Sequence, residues 1–179
     1  MKFAVSGTHA TGKSTLMHAL TSLLAGYEAV EEPYYLMAED GYDFADEPTL
    51  DDYVAQMKYS MAMIAGSEDD TIFERAPLDF LAYLNAHDEG ATFEEESWSE
   101  MVEETMDMLD FVVFVPVETP DVIGLAFEND RALRERVNHA LQELMDEFEF
   151  SGGGRVVTVS GSVEERARQV LSFMDTLHR

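Results

Sequence analysis

Cysteine is absent from the 179 residues, so neither a disulfide framework nor a thiolate metal site is available. Long apolar runs are missing as well. No stretch approaches the roughly 18 uninterrupted apolar residues of a membrane span. The amino terminus opens directly into Phe3-Ala4-Val5, without the charged and then apolar pattern of a signal peptide. A cytoplasmic protein without a membrane partner is expected. Positive charge is also scarce: 11 basic residues stand against 37 acidic ones, for a net charge of −26. Such a chain repels phosphate backbones and anionic surfaces, which disfavours a nucleic-acid partner. A highly soluble surface or adaptation to high salt fits the acidity equally well.

The few cations are unevenly spread. Between Ser14 and Asp130 the only lysine or arginine residues are Lys58 and Arg75, and the next are Arg131, Arg134 and Arg136. An acidic chain that holds a polyphosphate must gather its cations locally, so these residues and Lys13 are candidates. The helical arginines would alternatively pair with neighbouring glutamates.

The remaining composition, 46% hydrophobic, allows one sizeable core, and a single domain over residues 1–179 is expected. Apolar, β-branched runs bounded by turn residues occur at Lys2 to Ser6, Glu28 to Glu31, Thr71 to Phe73, Phe111 to Val115 and Arg155 to Val159. Helical spacing fills Lys13 to Ala25, Leu50 to Ala65, Pro77 to His87, Glu94 to Leu109, Arg131 to Phe148 and Val163 to Leu177. This alternation predicts an α/β fold of three layers, a five-stranded parallel sheet with helices on both faces and ligands at the carboxyl ends of the strands. Phe111 to Val115 lacks polar alternation and reads as a central strand buried on both sides. The methionines at helical spacing read as core filling.

Gly7 to Ser14 fits the pattern G-x-x-x-x-G-K-[ST], with a β-prone run before it and a helical run after it. Glycines let the backbone fold back so that amide groups face phosphate oxygens, and the helix adds its positive end. The predicted nucleotide-binding set is Gly7, Thr8, His9, Ala10, Thr11, Gly12, Lys13, Ser14 and Thr15. Lys13 would neutralise the β and γ phosphates, and the Ser14 hydroxyl would bind Mg²⁺. His9 reads as a loop side chain, because no second ligand residue stands beside it at metal spacing.

Two segments follow predicted strands, Glu31-Glu32-Pro33 and Glu74-Arg75-Ala76-Pro77-Leu78-Asp79, the latter continuing to Ala82-Tyr83. The order P-loop, Glu-Pro, Glu-Arg resembles the deoxynucleoside kinase and thymidylate kinase group, and the Thr-Gly-Lys-Ser ending is similar to that of nicotinamide riboside kinases and related AAA/ATPase-like proteins. The resemblance implies an ATP- and magnesium-dependent kinase for a nucleoside- or nucleotide-like acceptor, often a homodimer. It assigns Glu32 as general base, Glu74 to the Mg²⁺ shell together with Ser14, and Arg75 to phosphate contact. It places an arginine-bearing lid near residues 126–138, with Arg131 and Arg134 as catalytic cations and Arg136 less so, and lets Gly161-Ser162 pass the adenine.

Glu31 stands where thymidylate kinases carry arginine, and its charge disfavours a monophosphate acceptor unless it points to the other side of the strand. Asp79, Tyr83 and Trp98 are candidate acceptor contacts. An ATP-binding switch acting through a protein partner would use the same phosphate loop.

Overall fold

The structure is a computed structural model that describes residues 1–87, 96–118, 128–152 and 154–177. Five parallel strands, β1 (Lys2–Ser6), β2 (Glu28–Val30), β3 (Thr71–Glu74), β4 (Phe111–Phe114) and β5 (Val156–Thr158), form one sheet in the order β2-β3-β1-β4-β5. The first strand is therefore central, and the chain leaves it toward β2 and β3 on one side and toward β4 and β5 on the other. Such a switch point opens a crevice at the carboxyl end of the central strand.

Side-chain alternation divides the core between two faces. Phe3 and Val5 of β1 join Ile72, Phe111 and Val113 beneath α1 (Lys13–Leu23) and α7 (Val163–Leu177). Ala4 joins Phe73, Val112 and Phe114 beneath α3 (Leu50–Gly66), α4 (Pro77–His87), α5 (Glu96–Met106) and α6 (Glu128–Gly152). All four residues of β4 are buried, as its unbroken apolar run predicts. Phe3 stacks on Phe111 with ring centroids 4.5 Å apart. Burial of each such ring contributes roughly 1.5–3 kcal/mol, which fixes β1 against β4 and hence the place where the following loop begins.

A short helix, α2 (Pro33–Glu39), was not anticipated. It has Pro33 at its first position, where proline's fixed φ suits a helix start, but its seven residues are too few to show a period. The run Arg131 to Phe148 is the interior of the longer α6, so residues 128–138 of the anticipated lid are helical; residues 126 and 127 lie outside the described residues. Among the described residues no helix is long and apolar enough to cross a membrane.

Candidate nucleotide and acceptor site

The loop after β1 is shaped by positions that tolerate little but glycine. A Cβ on Gly7 would sit 2.5 Å from the Val115 carbonyl oxygen, so the loop lies hard against the strand-end segment after β4. Gly12 adopts φ 90° as it turns into α1, and Ala10 is left-handed at φ 54°. Lys13 is buried, and its ammonium donates to the Thr8 carbonyl at 2.9 Å. Burial and the nearby Arg75 charge pull its pKa down to about 8, against the opposing pull of Glu32, Asp79 and Glu74. The loop thus holds an ammonium that gains strongly from an anionic ligand.

Ser14 and Thr15 are exposed in the first turn of α1. The Ser14 hydroxyl donates to Glu74 Oε1 at 2.6 Å. A hydroxyl and a carboxylate are hard oxygen donors, and they suit magnesium, which commonly takes one or two protein oxygens and fills its shell with phosphate and water. Among the described residues no group of three or more His, Cys, Asp or Glu could hold a metal by itself. The donor set therefore fits a cation that arrives with a polyphosphate.

His9 departs from the simple picture of amides all turned inward. Its N–H donates to the Tyr83 hydroxyl oxygen at 3.0 Å, and its Nδ1 lies 2.9 Å from the same oxygen. Tyr83 is buried and stacks on Tyr53 at 5.0 Å, so it braces the loop and is not open to an acceptor. Asp79 is likewise no acceptor contact. It is fully buried, and its two oxygens accept the Gly7 N–H at 2.9 Å and the Ala76 N–H at 3.0 Å, which ties the loop to the start of α4. Trp98 is partly buried against the core, with the Lys58 ammonium 5.0 Å from its ring centre. All three are committed to neighbours within the protein.

Glu32, which caps α2, meets Arg75 just past β3. Arg75 Nε donates to Glu32 Oε1 at 2.6 Å, while its Nη1 donates to the Gly7 carbonyl at 3.1 Å and lies 3.4 Å from Asp79. Three partners pulling on one guanidinium hold Arg75 at φ 73°, a left-handed conformation unusual for arginine. Burial pushes the Glu32 carboxyl up, but the Arg75 and Lys13 charges together prevail and hold it below its ordinary value. Glu32 is consequently ionised at neutral pH. The adjacent Glu31 is exposed and lines a cavity of about 360 Å³ together with Ser14, His18, Tyr35 and Glu74, so it borders the magnesium donors.

The helical arginines separate. Arg134 falls on the inward stripe of α6 with Val137, Leu141 and Met145, and it donates to the His9 and Ala10 carbonyls at 3.0 and 2.8 Å. Arg131, one turn earlier, is exposed. The shared helical face expected of the two is thus split, Arg134 being buried and Arg131 exposed. Arg136 is exposed and donates to the Ala86 carbonyl at 3.3 Å, where it caps α4.

Arg166 was missed by sequence reasoning. It is buried in α7, and its Nη1 donates to the Thr11 carbonyl at 2.7 Å. Its position four residues after Ser162 was the one available signal. A larger hollow of about 750 Å³ runs beside β5 and α7, lined by residues such as Arg168, Gln169 and Phe173. It contains no phosphate-loop residue, so size alone does not locate the chemistry.

An AAA domain family matches residues 2–166. The chain belongs to this family. No curated protein sequence matches this chain. Among solved structures, a thymidylate kinase from Candida albicans superposes with a TM-score of 0.67 at 13% identity, over 99% of this chain and 92% of that one. A deoxyadenosine kinase from M. mycoides with products bound has a TM-score of 0.64 at 15% identity, over 99% of this chain and 100% of that one. A NadR protein in complex with NR has a TM-score of 0.67 at 16% identity, over 97% of this chain and 49% of that one. This AAA domain thus has the three-layer α/β fold shared by these P-loop kinases.

Proposed function

We propose that the chain is a P-loop kinase that uses ATP and magnesium to phosphorylate the hydroxyl of an uncharged, nucleoside-like small molecule. The observation that carries this reading is the meeting of Glu32 and Arg75 at 2.6 Å at the ends of β2 and β3, beside the phosphate loop and across from β4 and β5. A loop that only binds a nucleotide has no use for an ionised carboxylate at that place, whereas phosphoryl transfer to a hydroxyl needs a group that orients it and takes its proton.

The acceptor oxygen bonds to the γ phosphorus as the bond to the β-bridging oxygen breaks, and the hydroxyl proton passes to Glu32. Because Arg75 keeps Glu32 ionised but weakly basic, its main contribution is to orient the hydroxyl and take the proton late. Lys13 and the inward amides of the loop stabilise charge on the phosphates. Ser14 and Glu74 would hold the magnesium ion, which would supply neutralisation of phosphate charge. Arg75 is already balanced by Glu32 and Asp79, so the acceptor side carries little surplus positive charge for a second phosphate. That balance favours a nucleoside over a nucleotide, and Glu31, which lines the same region as Ser14 and Glu74, adds a further negative charge against a second phosphate.

A panel of nucleosides, nucleotides and nicotinamide riboside, assayed for ATP-to-ADP conversion, tests the reading. Glu32→Gln is expected to lower transfer by about 10²- to 10⁴-fold, with MgATP binding nearly unchanged. Normal transfer by that variant would remove Glu32 from its role. Hydrolysis that no acceptor stimulates would favour a nucleotide-driven switch instead.

A further inference from the structure

The carbonyls of the phosphate loop are held by arginines from three elements. Arg75 takes Gly7 O, Arg134 takes His9 O and Ala10 O, and Arg166 takes Thr11 O. In a planar trans peptide the carbonyl and the following N–H point in opposite directions. Each carbonyl turned to an arginine therefore turns away the amide of Thr8, Ala10, Thr11 or Gly12. Arg166 performs this for Gly12, the last amide before α1.

Arg166 also reaches beyond the loop. Its Nη2 lies 3.1 Å from Glu118 Oε1, and the same oxygen accepts the Gly161 N–H at 2.6 Å. One guanidinium thus links the segments that follow β1, β4 and β5. It is 8% exposed, and its Nε is buried without a partner among the described residues. A buried cation with an unused donor is a costly way to obtain stability alone.

The sheet order decides what these links serve. Glu32 and Arg75 stand over β2 and β3, and the phosphate loop over β1, so a nucleotide bound by its phosphates must extend its nucleoside end toward β4 and β5. There stand Glu118 and Gly161.

We infer that Arg166 is a positioning residue that joins the two halves of the donor site, fixing the phosphate cradle through Thr11 and the turn at Gly161 through Glu118. The inference rests on the nucleotide-binding part of the proposed function. Glu118 is the member of the pair that holds Gly161 directly, so its loss should be felt more at the nucleoside end than at the phosphates.

Calorimetry on the full chain, with MgATP and with magnesium tripolyphosphate as a ligand that has no nucleoside, tests this. Arg166→Gln should weaken both ligands by about tenfold, the effect of losing one charge-assisted hydrogen bond from the cradle, and Arg166→Lys should recover part of each loss. Glu118→Gln should weaken MgATP by about three- to tenfold while tripolyphosphate stays within about twofold, because an amide holds Gly161 less firmly than a carboxylate does. If Arg166→Gln keeps a native circular dichroism spectrum and binds both ligands like the parent, the inference is wrong. It is also wrong if Glu118→Gln weakens the two ligands equally, and this measurement decides the matter should Arg166→Gln fail to fold. Failure of the parent protein to bind either ligand would overturn the nucleotide-binding reading itself.

Discussion

Asp79→Asn changes one oxygen to an NH₂ group in a fully buried side chain whose two oxygens each accept a backbone N–H, from Gly7 at 2.9 Å and from Ala76 at 3.0 Å. However the amide is turned, one backbone N–H then faces a second donor. A buried unsatisfied donor costs about 1–3 kcal/mol, and the surviving bonds, including that from Arg75, lose charge assistance worth about 1 kcal/mol more. Relaxation is restricted, since Gly7 is already pressed against the Val115 carbonyl. The loss should reach about 3 kcal/mol, against a typical total of about 5–15 kcal/mol. For a chain of this size the melting temperature should fall by roughly 6–12 °C. Urea unfolding of the parent and the variant measures the difference, and MgATP binding should weaken as the Gly7 amide loses its tether. A loss below about 1 kcal/mol with unchanged binding would refute the claim that Asp79 holds the loop in place.

Three further outcomes concern charge. Lys13 must be protonated to bind phosphate, and its pKa in the free protein is about 8, so MgATP affinity should be level below that pH and fall above it, by up to about tenfold per pH unit. Stability should move the other way between about 8 and the ordinary 10.5, where the unfolded chain holds a proton that the folded lysine has released. A flat affinity profile across pH 8 would contradict this assignment. With a net charge of −26, nucleotide association should hold or improve as salt rises. Titration between about 0.01 and 0.15 M salt, over which the screening length shrinks from about 30 to 8 Å, checks this. A steep loss of affinity over that range would show that local cations outweigh the global field.

The phosphate loop was legible because its parts are contiguous: a strand, glycines where the backbone reverses, a lysine and a helix start within a single run from Lys2 to Leu23. Glu32 and Arg75 were legible as residues at strand ends, and alternation of β and α runs was enough to predict a parallel sheet. Their mutual bond, spanning 43 positions, was not, because it depends on β2 pairing with β3.

Residues that act through packing were misread or missed. Asp79 and Tyr83 looked like acceptor contacts but brace the loop, since α4 turns them inward. Arg134 and Arg131, three positions apart, differ because the buried stripe of α6 includes the first and not the second. Arg166 meets Thr11 across 155 positions, and no periodicity in the chain encodes such a meeting. Local sequence determined which backbone can cradle phosphate. Tertiary structure alone decided which side chains hold that cradle open, because the partners are brought together by sheet order and helix packing, interactions between segments that share no local signal.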